Sequence, residues 1–162
     1  MMFRLHSQSG VSMLEMMIVV VLIGLLAAIA VPNFNGAVDK MKFENKARDF
    51  LNALRYARSG AVSVQEPHAV QFDNSGKQVL TYIDRVNKGN WTYDVGDSLV
   101  HSDTIDVPLT NFNCSFANNT IGFNPDGSAT GTGNLTCYRS SGHSFNIAVT
   151  AGSGRSRLEF YN

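Results

Sequence analysis

Glu15 is the residue whose setting first demands a chemical explanation. It is the only charge in the nineteen residues from Met13 to Val31, a run otherwise apolar apart from Gly24. A carboxylate at the centre of a bilayer-spanning helix costs about 2.5–3.5 kcal/mol, and less near its end, so such a group marks a function and needs a partner. A cut between Gly10 and Val11 would create one, a new positive amine with Glu15 as the fifth residue of the shortened chain. In a helical array the amine of one subunit could pair with the carboxylate of a neighbour, each relieving the other's desolvation. The remaining reactive side chains form no comparable pattern. His68, His101 and His143 are scattered, without metal spacing or a nucleophile motif, and are expected at the surface or at strand edges. The stretch DNSGK is not a full calcium loop. Cys114 and Cys137 lack the nearby histidines of a zinc site. In an oxidising compartment they would form a disulfide worth about 3 kcal/mol, and two buried free thiols are the alternative. No enzyme activity, cofactor, metal or nucleotide site is expected.

The elements that must position these groups follow from periodicity. The apolar run covers roughly 28 Å as a helix, close to a bilayer core, and is too long for a signal peptide. The polar leader before it carries only Arg4 and the amino terminus as charges. That bias keeps the start of the chain cytoplasmic and sends the rest outward. Pro32 removes a backbone bond, so a kink or local unwinding is expected between Ala28 and Pro32. Beyond it, Phe43, Ala47, Phe50, Leu51, Leu54, Ala57 and Ala61 recur at helical spacing, predicting an amphipathic helix to about Val64. Its other faces mix Lys40, Lys42, Lys46, Arg48, Arg55 and Arg58 with Asp39, Glu44 and Asp49, which reads as a solvated surface. Glu66-Pro67 ends the helix.

From His68 onward the chain alternates in short strands. HAVQFDNSGKQVLTYID and IGFNPDGSATG each predict a hairpin. HSDTIDVPLT predicts an edge strand because of Pro108. SFNIAVT and RSRLEFY close the domain, and residues 128–134 read as a mobile turn. The fold class is therefore α+β, a long N-terminal helix packed on an antiparallel sheet. Thirteen basic against thirteen acidic residues in 162 leave no bulk attraction for polyanions, so any such binding needs a local cluster.

A leader ending in Gly10, then Val11-Ser12-Met13-Leu14-Glu15, a long apolar helix and Pro32 together resemble the class III signal of type IV pilins and pseudopilins. The resemblance implies cleavage after Gly10 by prepilin peptidase and N-methylation of Val11, although the usual residue there is Phe or Met. It implies assembly by an inner-membrane platform into a filament with other pilin subunits, Glu15 setting register and Pro32 lying in a stretch that can melt. The expected divisions are a leader over 1–10, a membrane and filament-core helix over 11–32, an amphipathic continuation over 33–65, and a periplasmic β-rich domain over 66–162.

Three later stretches, LNALRYARSGAV, IGFNPDGSATG and AVTAGSGRSRLEF, resemble the GspH/FimT branch, which holds the minor pseudopilin of type II secretion and minor type IV pilins. Residues 82–113 match that branch poorly. Within the last stretch, Gly154, Arg155 and Arg157 match a Gly-Arg-x-Arg element with which DNA-uptake members bind DNA. In a strand, Arg155 and Arg157 would share one face while Leu158 and Phe160 take the core side, and Arg139 could add a third phosphate contact. So few contacts give a salt slope of only about −2 to −3, weak and non-specific unless repeated along a filament. Three readings follow: a secretion pseudopilin contacting other minor pseudopilins at a filament tip, a DNA-binding minor pilin, or a membrane-tethered enzyme for which no active-site cluster exists.

Overall fold

The computed structural model describes residues 10–73, 77–106, 109–139 and 142–161, and the chain separates into two compact units, residues 1–41 and 42–162. One helix, α1 (Met13–Val64), contributes to both. Ser12 starts it, its Oγ accepting the Leu14 N–H at 3.2 Å and its carbonyl accepting that of Met16. This satisfies two of the donors that a helix start leaves open. Pro32 falls within the bounds of α1. The helix ends at Gln65, which takes the left-handed conformation (φ 58°) while its Nε2 donates to the Val62 carbonyl. Pro67 then forbids continuation.

In the second unit the sheet is double. β1 (His68–Asp73), β2 (Gln78–Ile83), β3 (Ser98–Thr104) and, after β4 (Leu109–Cys114), β5 (Thr120–Phe123) supply the first sheet, in the order β3-β2-β1-β5. The second is β4-β6-β7-β8, with β6 (Gly133–Arg139), β7 (Ser144–Thr150) and β8 (Arg155–Tyr161). All named pairs are antiparallel. The helical stripe buries as its spacing predicts: Phe43, Ala47, Phe50, Leu54, Ala57 and Ala61 are all inaccessible or nearly so. Phe50 touches Phe72 of β1 and Phe145 of β7, at 5.8 and 5.9 Å between ring centroids, so one aromatic side chain ties both sheets to α1. Tilted and edge-on pairs of this kind add about 0.5–1.5 kcal/mol each beyond burial.

Several expectations change. The β1–β2 hairpin forms, its tip lying outside the described residues, and β3 is an exposed edge strand; Pro108 is likewise outside them. NPDG makes a closed turn, with Gly127 N–H on the Asn124 carbonyl, but no hairpin: β5 pairs with β1, and the return arm only bridges Phe123 to Ala129. The stretch from Ser128 is pinned rather than mobile. Ala129 N–H bonds the Ala151 carbonyl, Thr130 N–H bonds that of Gly122, and Gly133 already opens β6. His68 is buried, because Gly60 leaves room for its ring and Nδ1 sits 2.9 Å from the Glu66 carbonyl.

The expected disulfide is not formed; Cys114 and Cys137 are free thiols. Register explains this. Cys114 faces Leu135 and Cys137 faces Phe112, so the two are diagonal across β4 and β6. Diagonal residues lie about 7–8 Å apart, beyond the usual 4.4–6.8 Å Cα span of a disulfide. Burial pushes both thiols up, which keeps them protonated and unreactive.

The connection between β2 and β3 is organised by Asp97. Its Oδ1 accepts the N–H groups of Arg85 and Val86, and its Oδ2 that of Asp94, all within 2.8–2.9 Å. Burial acts to raise this carboxyl, but the bonds from Val86, Asp94 and Arg85 outweigh it and hold it below its ordinary 3.8. The stabilisation is therefore complete above that value and is lost as pH falls through the folded one. Asp97→Ala should cost about 1–3 kcal/mol near neutral pH. Thermal unfolding followed at neutral pH and at about pH 2–3 should show the gap from wild type closing in acid.

Candidate functional site

Two regions carry the residues singled out by sequence. The first is the start of α1. Glu15 occupies its first turn, three residues after the Ser12 cap, which is the spacing of a capping box and the favourable end of the helix dipole. The spacing Ser12-x-x-Glu15 is legible in the sequence, and its place at the positive end of the helix dipole favours the charge independently of assembly. From Val11 to Ile29 every large apolar side chain is exposed, between 42% and 83%. The helix is long and apolar enough to cross a membrane, with a mean hydropathy of 2.8 over its most apolar window and none of that window buried. Pro32 lies within α1.

The second region is the turn between β7 and β8. Here the three stretches noted in the sequence meet at one side chain. Arg58 of α1 donates from Nε to the Gly127 carbonyl at 2.9 Å. Gly154 closes over the same point with φ 59°, and a Cβ there would collide with the Gly127 carbonyl and approach Arg58 Nε to 2.9 Å. The glycine of Gly-Arg-x-Arg is thus a packing requirement, whatever the arginines do.

The arginines divide. Both are exposed on β8, as alternation predicts. Arg157 Nε is 3.1 Å from Glu159 Oε1, and Glu159 also accepts from the Tyr161 hydroxyl at 2.7 Å. Arg155 instead opens on a groove of about 620 Å³ lined also by Arg55, Arg58, Ser59 and Ser63, with no carboxylate in its walls. Leu158 packs on the core, but Phe160 is 42% exposed because β8 is a sheet edge. Arg139 does not join this group. It lies at the far end of the sheet, where its N–H bonds the His143 carbonyl, about 20 Å along the strands from the Thr150–Arg155 pair. Arg55 and Arg58 take its place, and one sequence signal marks them: after Asp49 the helix carries no acid.

Comparison with known proteins agrees with this geometry. The family model described as type II transport protein GspH matches residues 46–154, and that of the prokaryotic N-terminal methylation motif matches residues 5–31. The chain belongs to the GspH family. The minor pseudopilin EpsH of the Vibrio cholerae type 2 secretion system shares the fold, with a TM-score of 0.52 at 16% identity over 72% of this chain and 94% of that one. Among curated proteins there is no match. For a GspH-family chain the pilin-like α+β architecture follows, and the matched region contains the Arg58–Gly127–Gly154 junction whole.

That junction makes a direct prediction. Gly154→Ala should destabilise the second unit by about 1–3 kcal/mol, since a left-handed site and a backbone approach are both violated. Arg155→Ala beside it should stay within about 0.5 kcal/mol of wild type. Thermal unfolding of the detergent-solubilised chain separates the two.

Proposed function

We propose that this chain is a minor pseudopilin, a subunit of the type II secretion pseudopilus. It is held in the inner membrane by residues 11–32, with 33–65 continuing the helix and 66–162 forming a periplasmic domain. Prepilin peptidase removes residues 1–10 after Gly10, and Val11 is N-methylated. An inner-membrane platform adds the subunit to the filament, where Glu15 pairs with the terminal amine of an adjoining subunit.

The observation that carries this reading is the uncovered helix: Val11 to Ile29 exposes its apolar side chains on every face, with one carboxylate at its head. A helix that is apolar all round needs lipid or other helices around it. Filament assembly exchanges the first cover for the second. Gly-Val-Ser-Met-Leu-Glu fits the methylation motif that matches here.

The test is the mature N-terminus together with filament incorporation. In a host with active prepilin peptidase the chain should begin at methylated Val11. Glu15→Ala should be processed normally, yet enter sheared filaments about tenfold less or worse, as expected from leaving one desolvated charge unpaired. Retention of residues 1–10 in that host, or undiminished incorporation of the variant, refutes the reading.

DNA uptake through Gly154, Arg155 and Arg157 is the second reading, favoured by the carboxylate-free groove at Arg155. Against it stand the Arg157–Glu159 pair and the balanced net charge. One unpaired guanidinium on β8 is too little for retention at physiological salt. In a gel shift the full chain and Arg155→Ala/Arg157→Ala should retard duplex DNA equally and weakly. A shift lost in the double variant would establish DNA binding at this element.

A further inference from the structure

The chain's only tryptophan sits where the backbone resists it. Trp91, in the connection between β2 and β3, takes the left-handed conformation with φ 56°. A bulky residue there is strained, and such strain persists only where the surroundings impose it. Here Gly122 of β5 does so. The six-membered ring of the indole occupies the space that a Cβ on Gly122 would fill. Gly122 also accepts the Thr130 N–H and donates its own to Thr130 Oγ1 at 3.1 Å. One glycine thus sets the indole and a hydroxyl together.

Both line a cavity of about 210 Å³, where Phe116 adds a second aromatic wall. Among the described residues no ionisable group lines it; the polar lining is amide and hydroxyl. Those hydroxyls are oriented in advance. Thr130 Oγ1 accepts from Gly122, and Thr132 Oγ1 accepts the Ala151 N–H at 3.0 Å. Each oxygen is therefore fixed while its own hydrogen stays free to donate. Asn118, left-handed at φ 52°, brings an exposed amide that can both donate and accept. Gly131 leaves room in the lining, since nothing lies within 4 Å of where its Cβ would stand.

Such a lining selects its ligand by exclusion. An ion would find no counter-charge, and a wholly apolar molecule would desolvate the amide and hydroxyls without replacing their bonds. A sugar ring satisfies both demands, because its C–H face packs on an aromatic wall while its hydroxyls donate and accept. We propose that this cavity binds one uncharged pyranose ring of a glycan, stacked on Trp91 and hydrogen-bonded by Asn118, Thr130 and Thr132. In the periplasmic setting proposed above, two sources carry such rings: N-acetylated glycan of the cell wall and plain hexose polymers in transit. The cavity lies wholly within the second unit and does not involve Glu15, so it is tested apart from the filament reading.

Intrinsic fluorescence reads this site directly, because Trp91 is the sole tryptophan. The full chain is kept in a detergent without a sugar headgroup. It is titrated with the tetramer of N-acetylglucosamine and, separately, with cellotetraose. At least one should shift the emission saturably, half-complete at about 1 mM, the strength expected of one small ring. A response to the first alone assigns the cell-wall class, to the second alone the plain hexose class, and to both the ring itself. Two variants locate the binding. Gly131→Val fills the cavity and should abolish the response. Asn118→Gly removes the amide, suits the left-handed backbone and should weaken the response about threefold to tenfold. Both should keep the starting emission and melting temperature near wild type. No saturable shift with either tetramer overturns the proposal, and so does an unchanged response in either variant.

Discussion

A single constraint governs the molecule: the first part of α1 has no cover of its own. Its side chains from Met13 to Ile29 offer only apolar surface and one carboxylate, and in water such a helix would aggregate. Lipid satisfies the apolar part and leaves Glu15 costly. A neighbouring helix bearing a cation satisfies both. In the proposed reading, the difference between those two environments suits the segment to leaving a membrane for a filament. Ser12 and the helix dipole stabilise the first turn, where the charge sits.

Much of the fold is visible in the sequence because its periodicities are strong. The stripe from Phe43 to Ala61 predicts both the length of α1 and the face it buries, and Glu66-Pro67 predicts its end. β1, β2, β7 and β8 fall where alternation and turn residues place them. What is not visible is pairing at long range. That β5 joins β1 while β6 passes to a second sheet depends on contacts far apart in the chain, and no local pattern encodes them. The cysteines show the same limit. Their separation in sequence suits a disulfide, and only the register of β4 against β6 reveals that they are diagonal neighbours. His68 is expected at the surface or a strand edge because no motif claims it, yet it is buried, in space left by Gly60 on another element.

The candidate sites divide along the same line. Gly10, Val11 and Glu15 lie close together in sequence, so spacing is enough to suggest their relation. The arginine groove is assembled from α1 and β8, and the sequence offers only one half of it in Gly154-Arg155-Ser156-Arg157. The half it offers is partly misleading. Arg157 is occupied by Glu159, and Gly154 serves the backbone approach to Gly127. The half it hides, Arg55 and Arg58, looks like an ordinary solvated face until the absence of acid after Asp49 is noticed.

The resemblance of this element to a DNA-binding one therefore cannot be carried over whole. Its glycine has a structural task in this chain, since Arg58, Gly127 and Gly154 fill one another's space. The fold thus explains that residue without reference to a ligand. Only the arginines can report on binding, and they do so through the acids beside them. An arginine within reach of a carboxylate on its own strand is largely neutralised toward a phosphate; one in a groove walled by arginine and serine is not. By that measure the second arginine of the element is already engaged here, and the first belongs with the helix. Electrostatics at this end of the domain is accordingly a property of α1 and β8 together, placed on the flank opposite the Lys46 carboxylate cluster.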